Sequence, residues 1–135
     1  MIFLDTSGIL ALAMEADIYH DRAVEMMMNA EATGRRMLVH SYVLVESAAI
    51  MQNRIGREAA IAFLESASSF DVVWVSPQLH AQALELLKQN SSSKLSFVDV
   101  VSFVVMRLRA VTEFIGFDKH FVDAGFIQFG SQIAG

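Results

Sequence analysis

Cysteine is absent from this chain. That removes disulfides, thiolate metal sites and a cysteine nucleophile together, and it suits a reducing cytoplasm. Proline is nearly absent: the single one, Pro77, follows Ser76 and reads as the first position of a capped helix. Charge is sparse, at 19% of residues with a net of −5. A negative chain has no broad electrostatic footprint for nucleic acid, although a local basic groove or a metal among clustered acids stays open. No apolar run reaches the roughly 18 residues of a spanning helix. The longest, Val98 to Met106, is interrupted by Asp99 and closed by Arg107. No basic segment precedes the first apolar residues, so a secretory signal is not expected. The expectation is a soluble cytoplasmic protein with no membrane contact.

What the chain does have is apolar pattern. Hydrophobic residues make up 54% of its 135 residues, enough for the core of one domain spanning 1–135. The excess points to a face covered by a partner or a second copy. Ile2 to Leu4 is a short apolar run ending on Asp5, as in a buried parallel strand. Thr6 or Ser7 is placed to cap a helix over 8–14, and a second helix over 20–32 puts Ala23, Met26, Met27 and Ala30 on one face. A strand over 35–40 follows, then Ser41 as a cap and a helix over 42–54 that contains Glu46. A helix over 57–68 carries Ala60, Phe63, Leu64 and Ala67 as its apolar stripe. The β-forming run 71–75 leads to the helix at Pro77, which Leu79, Ala83, Leu86 and Leu87 turn inward. A short polar loop, Ser91 to Ser93, precedes a strongly apolar helix from Phe97. A strand over 113–117 ends on Asp118, and the run 126–129 reads as an edge strand. Helices between nearly all strands predict an α/β fold with a mostly parallel sheet covered on both faces, whose ligands bind beyond the carboxyl ends of the strands.

Four acids stand out against this apolar ground, and each also has a structural reading. Asp5 and Asp118 end strands, where an acid often caps the next helix; Asp118 is also placed to pair with Lys119. Asp99 follows Ser96 at capping-box spacing, yet its helix is apolar nearly all round, so the carboxylate is costly unless paired, protonated or metal-bound. Glu46 is the single charge in the run 42–50, on a solvated edge or facing inward as a ligand. Carboxylates converging at one sheet edge resist ionising unless a cation sits among them. All-oxygen ligation suits Mg²⁺ or Mn²⁺, and such sites hydrolyse phosphodiesters.

At these residues the sequence resembles the PIN-domain family, and within it the small VapC-type toxin ribonucleases. The resemblance covers essentially the whole chain through four segments, Phe3 to Ser7, Ser41 to Glu46, Ser96 to Phe103 and Gly116 to Phe121. Their joint order and spacing carry it. It implies a three-layer α/β/α fold around about five strands, and a metal-dependent endoribonuclease with RNA as substrate. It also implies a cognate antitoxin and frequent homodimers. Carried over by position, Asp5, Glu46, Asp99 and Asp118 become the acidic quartet for Mg²⁺ or Mn²⁺, with Thr6 or Ser7 orienting a ligand. Gly116 stands where a Thr or Ser often supports the last acid, which makes Asp118 the least supported ligand. A non-catalytic PIN-like module that binds RNA or protein is the alternative, and a phosphate-accepting receiver domain is disfavoured because the run 71–75 ends on Ser76. Lys94 and Lys119 flank the acids and are the expected RNA contacts. His20, His40, His80 and His120 show no metal spacing and read as structural or surface residues, with His120 the exception for lying two residues past Asp118. Phe97, Phe103, Phe117 and Phe121 read as core, with base stacking as the alternative.

Overall fold

The structure is a computed structural model that describes residues 1–92 and 94–130. Five strands, β1 (Ile2–Leu4), β2 (Met37–His40), β3 (Asp71–Val73), β4 (Glu113–Ile115) and β5 (Ile127–Gln128), form one sheet in the order β3-β2-β1-β4-β5. Every pairing is parallel, with Phe3 opposite Leu38 on one side and Phe114 on the other. The helices are α1 (Thr6–Ala13), α2 (His20–Ala32), α3 (Ser41–Ile55), α4 (Arg57–Ser66), α5 (Pro77–Gln89), α6 (Phe97–Leu108) and α7 (Lys119–Asp123). The expected element order is the observed one. Of the polar loop 91–93, Ser93 lies outside the described residues.

The strand order decides where a site can form. The connections β1 to β2 to β3 step one way across the sheet, so right-handed crossovers put α1 to α4 on one face. The chain then returns past β2 and β1 to β4 and continues outward to β5, which places α5 to α7 on the other face. Helix contacts follow this division, α1 with α2 and α3, α3 with α4, and α6 with α5 and α7. The direction reverses between β1 and β4, and ligands of open α/β sheets bind at such a reversal. Asp5 directly follows β1, whereas β4 stops at Ile115, short of the expected 117, and Asp118 lies three residues beyond it as the cap of α7.

Three local expectations are corrected, two of them by side-chain hydrogen bonding. Asp5, and neither Thr6 nor Ser7, caps α1, accepting from the Ser7 amide, so the helix begins at Thr6. His40, rather than Ser41, caps α3: its Nδ1 accepts from the amides of Tyr42 and Val43 at 3.2 and 3.3 Å. Its Nε2 lies 2.8 Å from Ser102 Oγ, which itself donates to the Val98 carbonyl at 2.9 Å. Nε2 therefore carries the proton, and burial pushes the imidazole down to about 4, keeping it neutral as a cap acceptor must be. Ser41 instead accepts from the Val75 amide at 2.9 Å and ties the end of β3 to the start of α3. The third correction concerns apolar stripes. Leu64 on α4 and Leu86 on α5 are exposed, because each of these helices buries only a narrow strip against one neighbour, Ala60 on α4 and Leu79 and Ala83 on α5. Helix α6 buries seven consecutive residues, Val100 to Met106, and is the central helix its composition predicts.

Helix α1 reaches the sheet edge through Gly8. A Cβ there would run into the Ile115 carbonyl oxygen and lie 3.0 Å from its carbon. The same carbonyl accepts from the Asp5 amide at 3.0 Å, so this close approach is what carries the end of β1 onto the end of β4. Gly8→Ala is expected to lower stability by about 1–3 kcal/mol through overpacking, despite alanine's better helix propensity. Urea unfolding measures it; a gain in stability would show that the backbone contact is not tight.

Candidate metal centre

Asp5 is the buried member of the site, 3% exposed at the end of β1. Its Oδ2 accepts from Ser7 Oγ at 2.7 Å and, more weakly, from the Ser7 amide at 3.4 Å. Ser7 Oγ in turn accepts from the Phe117 amide at 2.8 Å, bridging the β1 acid to the backbone beside Asp118. Burial pushes the Asp5 carboxyl up to about 7; the Ser7 hydrogen bond opposes this, and the charges of Asp99 and Asp118 add to it.

Asp99 is half-buried in the first turn of α6, and its capping box with Ser96 is complete: Asp99 N donates to Ser96 Oγ at 3.1 Å and Ser96 N to Asp99 Oδ2 at 3.3 Å. Its carboxyl is nevertheless raised, first by burial and then by the charge of Asp118. Asp118 caps α7, its Oδ1 accepting from the His120 amide at 2.9 Å, and the His120 Nδ1 stands 2.7 Å from the same oxygen. One ligand atom each from Asp99, Asp118 and His120 lie within 4.8 Å of one another. The capping roles and the clustering are thus both realised, by the same side chains.

Asp5 and Glu46 both stand outside that group of three: Asp5 is tied to it by the charges of Asp99 and Asp118, and Glu46 is half-buried on α3, the helix that leaves the sheet edge from β2, next to β1. Of the two hydroxyls expected to support the site, Ser7 does so; Thr6 Oγ1 is buried with no hydrogen-bond partner among the described residues. Lys94 and Lys119 are exposed at the starts of α6 and α7, and neither is in an ion pair among the described residues.

The four scattered histidines show no ligand spacing and are expected in structural or surface roles, with His120 standing apart for its place beside Asp118. Its position two residues past Asp118 was the available signal, and only the turn into α7 swings the ring back onto the acid. His120 supplies the support that Gly116 lacks. Gly116 itself has a reason: a Cβ there would sit 2.9 Å from Asp5 Cβ, 3.0 Å from its Oδ2 and 3.1 Å from Ser7 Oγ. A hydroxyl residue at this position would displace the Asp5–Ser7 pair.

The donor set fits a divalent cation. The Lys and Arg ion pairs among the described residues are Arg35–Glu113, Arg36–Asp71 and Lys88–Glu85, and none reaches the three aspartates. Two of them have raised pKa values, one is buried, and the nearby Thr6 hydroxyl lacks a partner, so the cluster is short of a countercharge and of a hydrogen-bonding partner. Oxygen donors with one imidazole suit Mg²⁺ or Mn²⁺. Gly116→Ala is expected to weaken Mn²⁺ binding about tenfold by displacing Asp5 or Ser7, as read by titration calorimetry. Unchanged affinity would mean that the end of β4 yields without disturbing the acid.

Residues 2–127 match the PIN domain family. The chain is 32% identical over 130 residues, 95% of its length, to the 23S rRNA-specific endonuclease VapC20 of Mycobacterium tuberculosis, and it covers 97% of that protein. The crystal structure of VapC20, described as a Sarcin-Ricin loop cleaving toxin, matches with a TM-score of 0.84 at 30% identity, covering 95% of this chain and 98% of that one. A parallel sheet with acids at its reversal point, a match over nearly the whole chain and this degree of identity agree: the chain belongs to the PIN domain family.

Proposed function

We propose that this protein is a divalent-metal-dependent endoribonuclease, the toxin of a toxin–antitoxin pair acting in the cytoplasm. The observation that supports this reading most is the gathering of Asp99, Asp118 and His120 beside the buried Asp5, with no Lys or Arg paired to the three aspartates among the described residues, in a chain similar over its length to an rRNA endonuclease. Asp5, Asp99 and Asp118 hold the ion, and Glu46 completes the set from α3. Ser7 fixes the Asp5 carboxylate and the Phe117 amide in one geometry. His120 fixes Asp118, with its ring available to the ion. Lys94 and Lys119 meet RNA phosphates at the rim. When bound, Mg²⁺ or Mn²⁺ supplies Lewis acidity toward the scissile phosphate and a water of lowered pKa. The favoured substrate is an rRNA hairpin of the kind VapC20 is named for. The alternative of a non-catalytic module rested on the missing hydroxyl at Gly116 and on the acidic net charge; the contact of His120 with Asp118 weakens the first motive, and the second stands.

A protein partner has a place to bind. Between α3, α4 and the β3 edge runs a groove of about 480 Å³ lined by Leu44, Val45, Leu64, Phe70, Val72 and Trp74, with Trp74 74% exposed. Surface of this kind supports an antitoxin or a homodimer contact. Among the described residues no helix is long and apolar enough to cross a membrane.

The pH dependence has a definite sign. Without metal, the Asp5 pKa of about 7 in the fold lies above its ordinary 3.8, so between those values the native state holds a proton that the unfolded chain has released. Stability then falls as pH rises from about 4 to 7, and the loss is complete above 7. Metal needs the carboxylate, so affinity rises through the same upper range. At pH 8 in chelator, Asp5→Asn is expected to melt about 5 °C higher than wild type. Added Mn²⁺ should stabilise only the wild type. A variant that melts lower without metal, or gains equally from Mn²⁺, contradicts the assignment.

Cleavage of a sarcin–ricin hairpin in Mn²⁺ tests the activity itself. Asp5→Asn and Asp99→Asn should each lose on the order of 100-fold or more in rate, and chelator should abolish cutting. Equal cutting by wild type and variants, or cutting that survives chelator, sinks the reading.

A further inference from the structure

Phe117 precedes Asp118, and its amide is the one held by Ser7. Its ring packs against the margin of the core. It is half-buried and lies flat against Tyr19, with centroids 4.3 Å apart and planes within 5°. Tyr19 stands at the N-terminal cap of α2, where its amide donates to Asp17 Oδ1 at 2.8 Å and locks the turn. The tyrosine remains 40% exposed. Arg22, one turn further along α2, places its guanidinium 5.7 Å from the Phe117 centroid. Its Nη2 donates to Gln128 Oε1 at 3.0 Å, and Gln128 Nε2 donates to the Gly116 carbonyl at 2.8 Å. An aromatic ring, a second ring held parallel to it and an arginine are thereby fixed to the backbone that carries Gly116, Phe117 and Asp118.

We propose that Tyr19, backed by Phe117, is the stacking platform for an unpaired nucleobase of the RNA substrate, with Arg22 taking a neighbouring phosphate. The inference rests on the endoribonuclease reading and names how the substrate is seated. Three observations carry it. The platform is rigid, since Phe117 and the Asp17 turn hold the Tyr19 ring and leave it little freedom to lose on binding. It is partly exposed, as a base-binding ring must be and a core ring need not be. It adjoins the acids through Ser7, so a nucleotide stacked there lies close to the scissile phosphate. Stacking on an aromatic face is tolerant of base identity and arginine adds a charge contact, the combination that single-stranded segments require. In a chain of net charge −5, such a local cation gives the RNA backbone a foothold that the bulk charge denies.

The test compares Tyr19, Tyr19→Phe and Tyr19→Leu in the cleavage-disabled Asp99→Asn protein, with affinity for a fluorescent sarcin–ricin hairpin read by anisotropy. Leucine keeps the apolar cover over Phe117 and removes the flat ring. Tyr19→Phe should bind as the parent does, and Tyr19→Leu should bind about tenfold more weakly. Replacing loop nucleotides one at a time by an abasic residue should reveal one position whose base matters to the Tyr19 protein and no longer matters to Tyr19→Leu. Arg22→Gln should reduce the salt dependence of binding by about one phosphate contact. Equal affinity for the Tyr and Leu proteins, with identical abasic profiles and an unchanged salt slope, overturns the platform and leaves the nuclease reading standing, provided the wild type cuts this RNA in Mn²⁺. If the wild type neither cuts nor binds RNA, both fall together.

Discussion

A buried carboxylate needs a countercharge, and Asp5 is in no ion pair among the described residues. Much of the surrounding architecture serves to put it in that position. The sheet reverses direction between β1 and β4, which opens the edge where Asp5 ends its strand. Gly8 lets α1 lie against the Ile115 carbonyl, and Gly116 leaves room for the Asp5 side chain and Ser7. Ser7 then satisfies one carboxylate oxygen and the Phe117 amide with a single hydroxyl. Each of these contacts tightens the approach of two strand ends that carry like charges. A cation resolves that conflict, and without one the acid holds a proton up to about pH 7.

The acids also show that structural and chemical roles need not compete. Asp5, Asp99 and Asp118 each cap a helix, and the backbone N–H groups they accept from orient their carboxylates. A helix N-terminus favours negative charge, so the starts of α1, α6 and α7 each lower the cost of holding an aspartate there. The capping reading of Asp5, Asp99 and Asp118 was correct, whereas the expected pair of Asp118 with Lys119 is absent among the described residues. What distinguishes the site is the convergence of the caps. His40 illustrates the opposite solution at the neighbouring strand: there the cap is a buried neutral ring, and no charge has to be accommodated.

Much of this was legible in the residues. Each strand is a short apolar run, and between the strands helical stripes such as Ala23, Met26 and Ala30 recur, so the order of elements and the parallel sheet followed from periodicity. Asp5 could be placed at the end of its strand for the same reason, whereas Asp118 lies three residues beyond β4. The cap of α3 was not legible: Ser41 was the expected cap, and the burial of His40 and its contact with Ser102 give that place to His40. Nor could periodicity say that Leu64 and Leu86 face outward, since that depends on how much of α4 and α5 a neighbour covers. His120 was noted for lying two residues past Asp118, but its contact with the acid comes from the turn into five-residue α7, which no spacing could show. Phe117 was expected in the core and does pack against it, while its stacking on Tyr19, distant in sequence, was not legible.

The central claim is that these carboxylates hold one divalent ion at the reversal point of the sheet. Anomalous diffraction from crystals grown with Mn²⁺ tests it directly. The expected result is a manganese peak with Asp5, Asp99 and Asp118 oxygens at about 2.0–2.3 Å, lost in Asp99→Asn crystals. The same map decides whether Glu46 and His120 enter the coordination sphere. A map with no peak among the three aspartates at saturating Mn²⁺, or a peak that persists in Asp99→Asn, contradicts it.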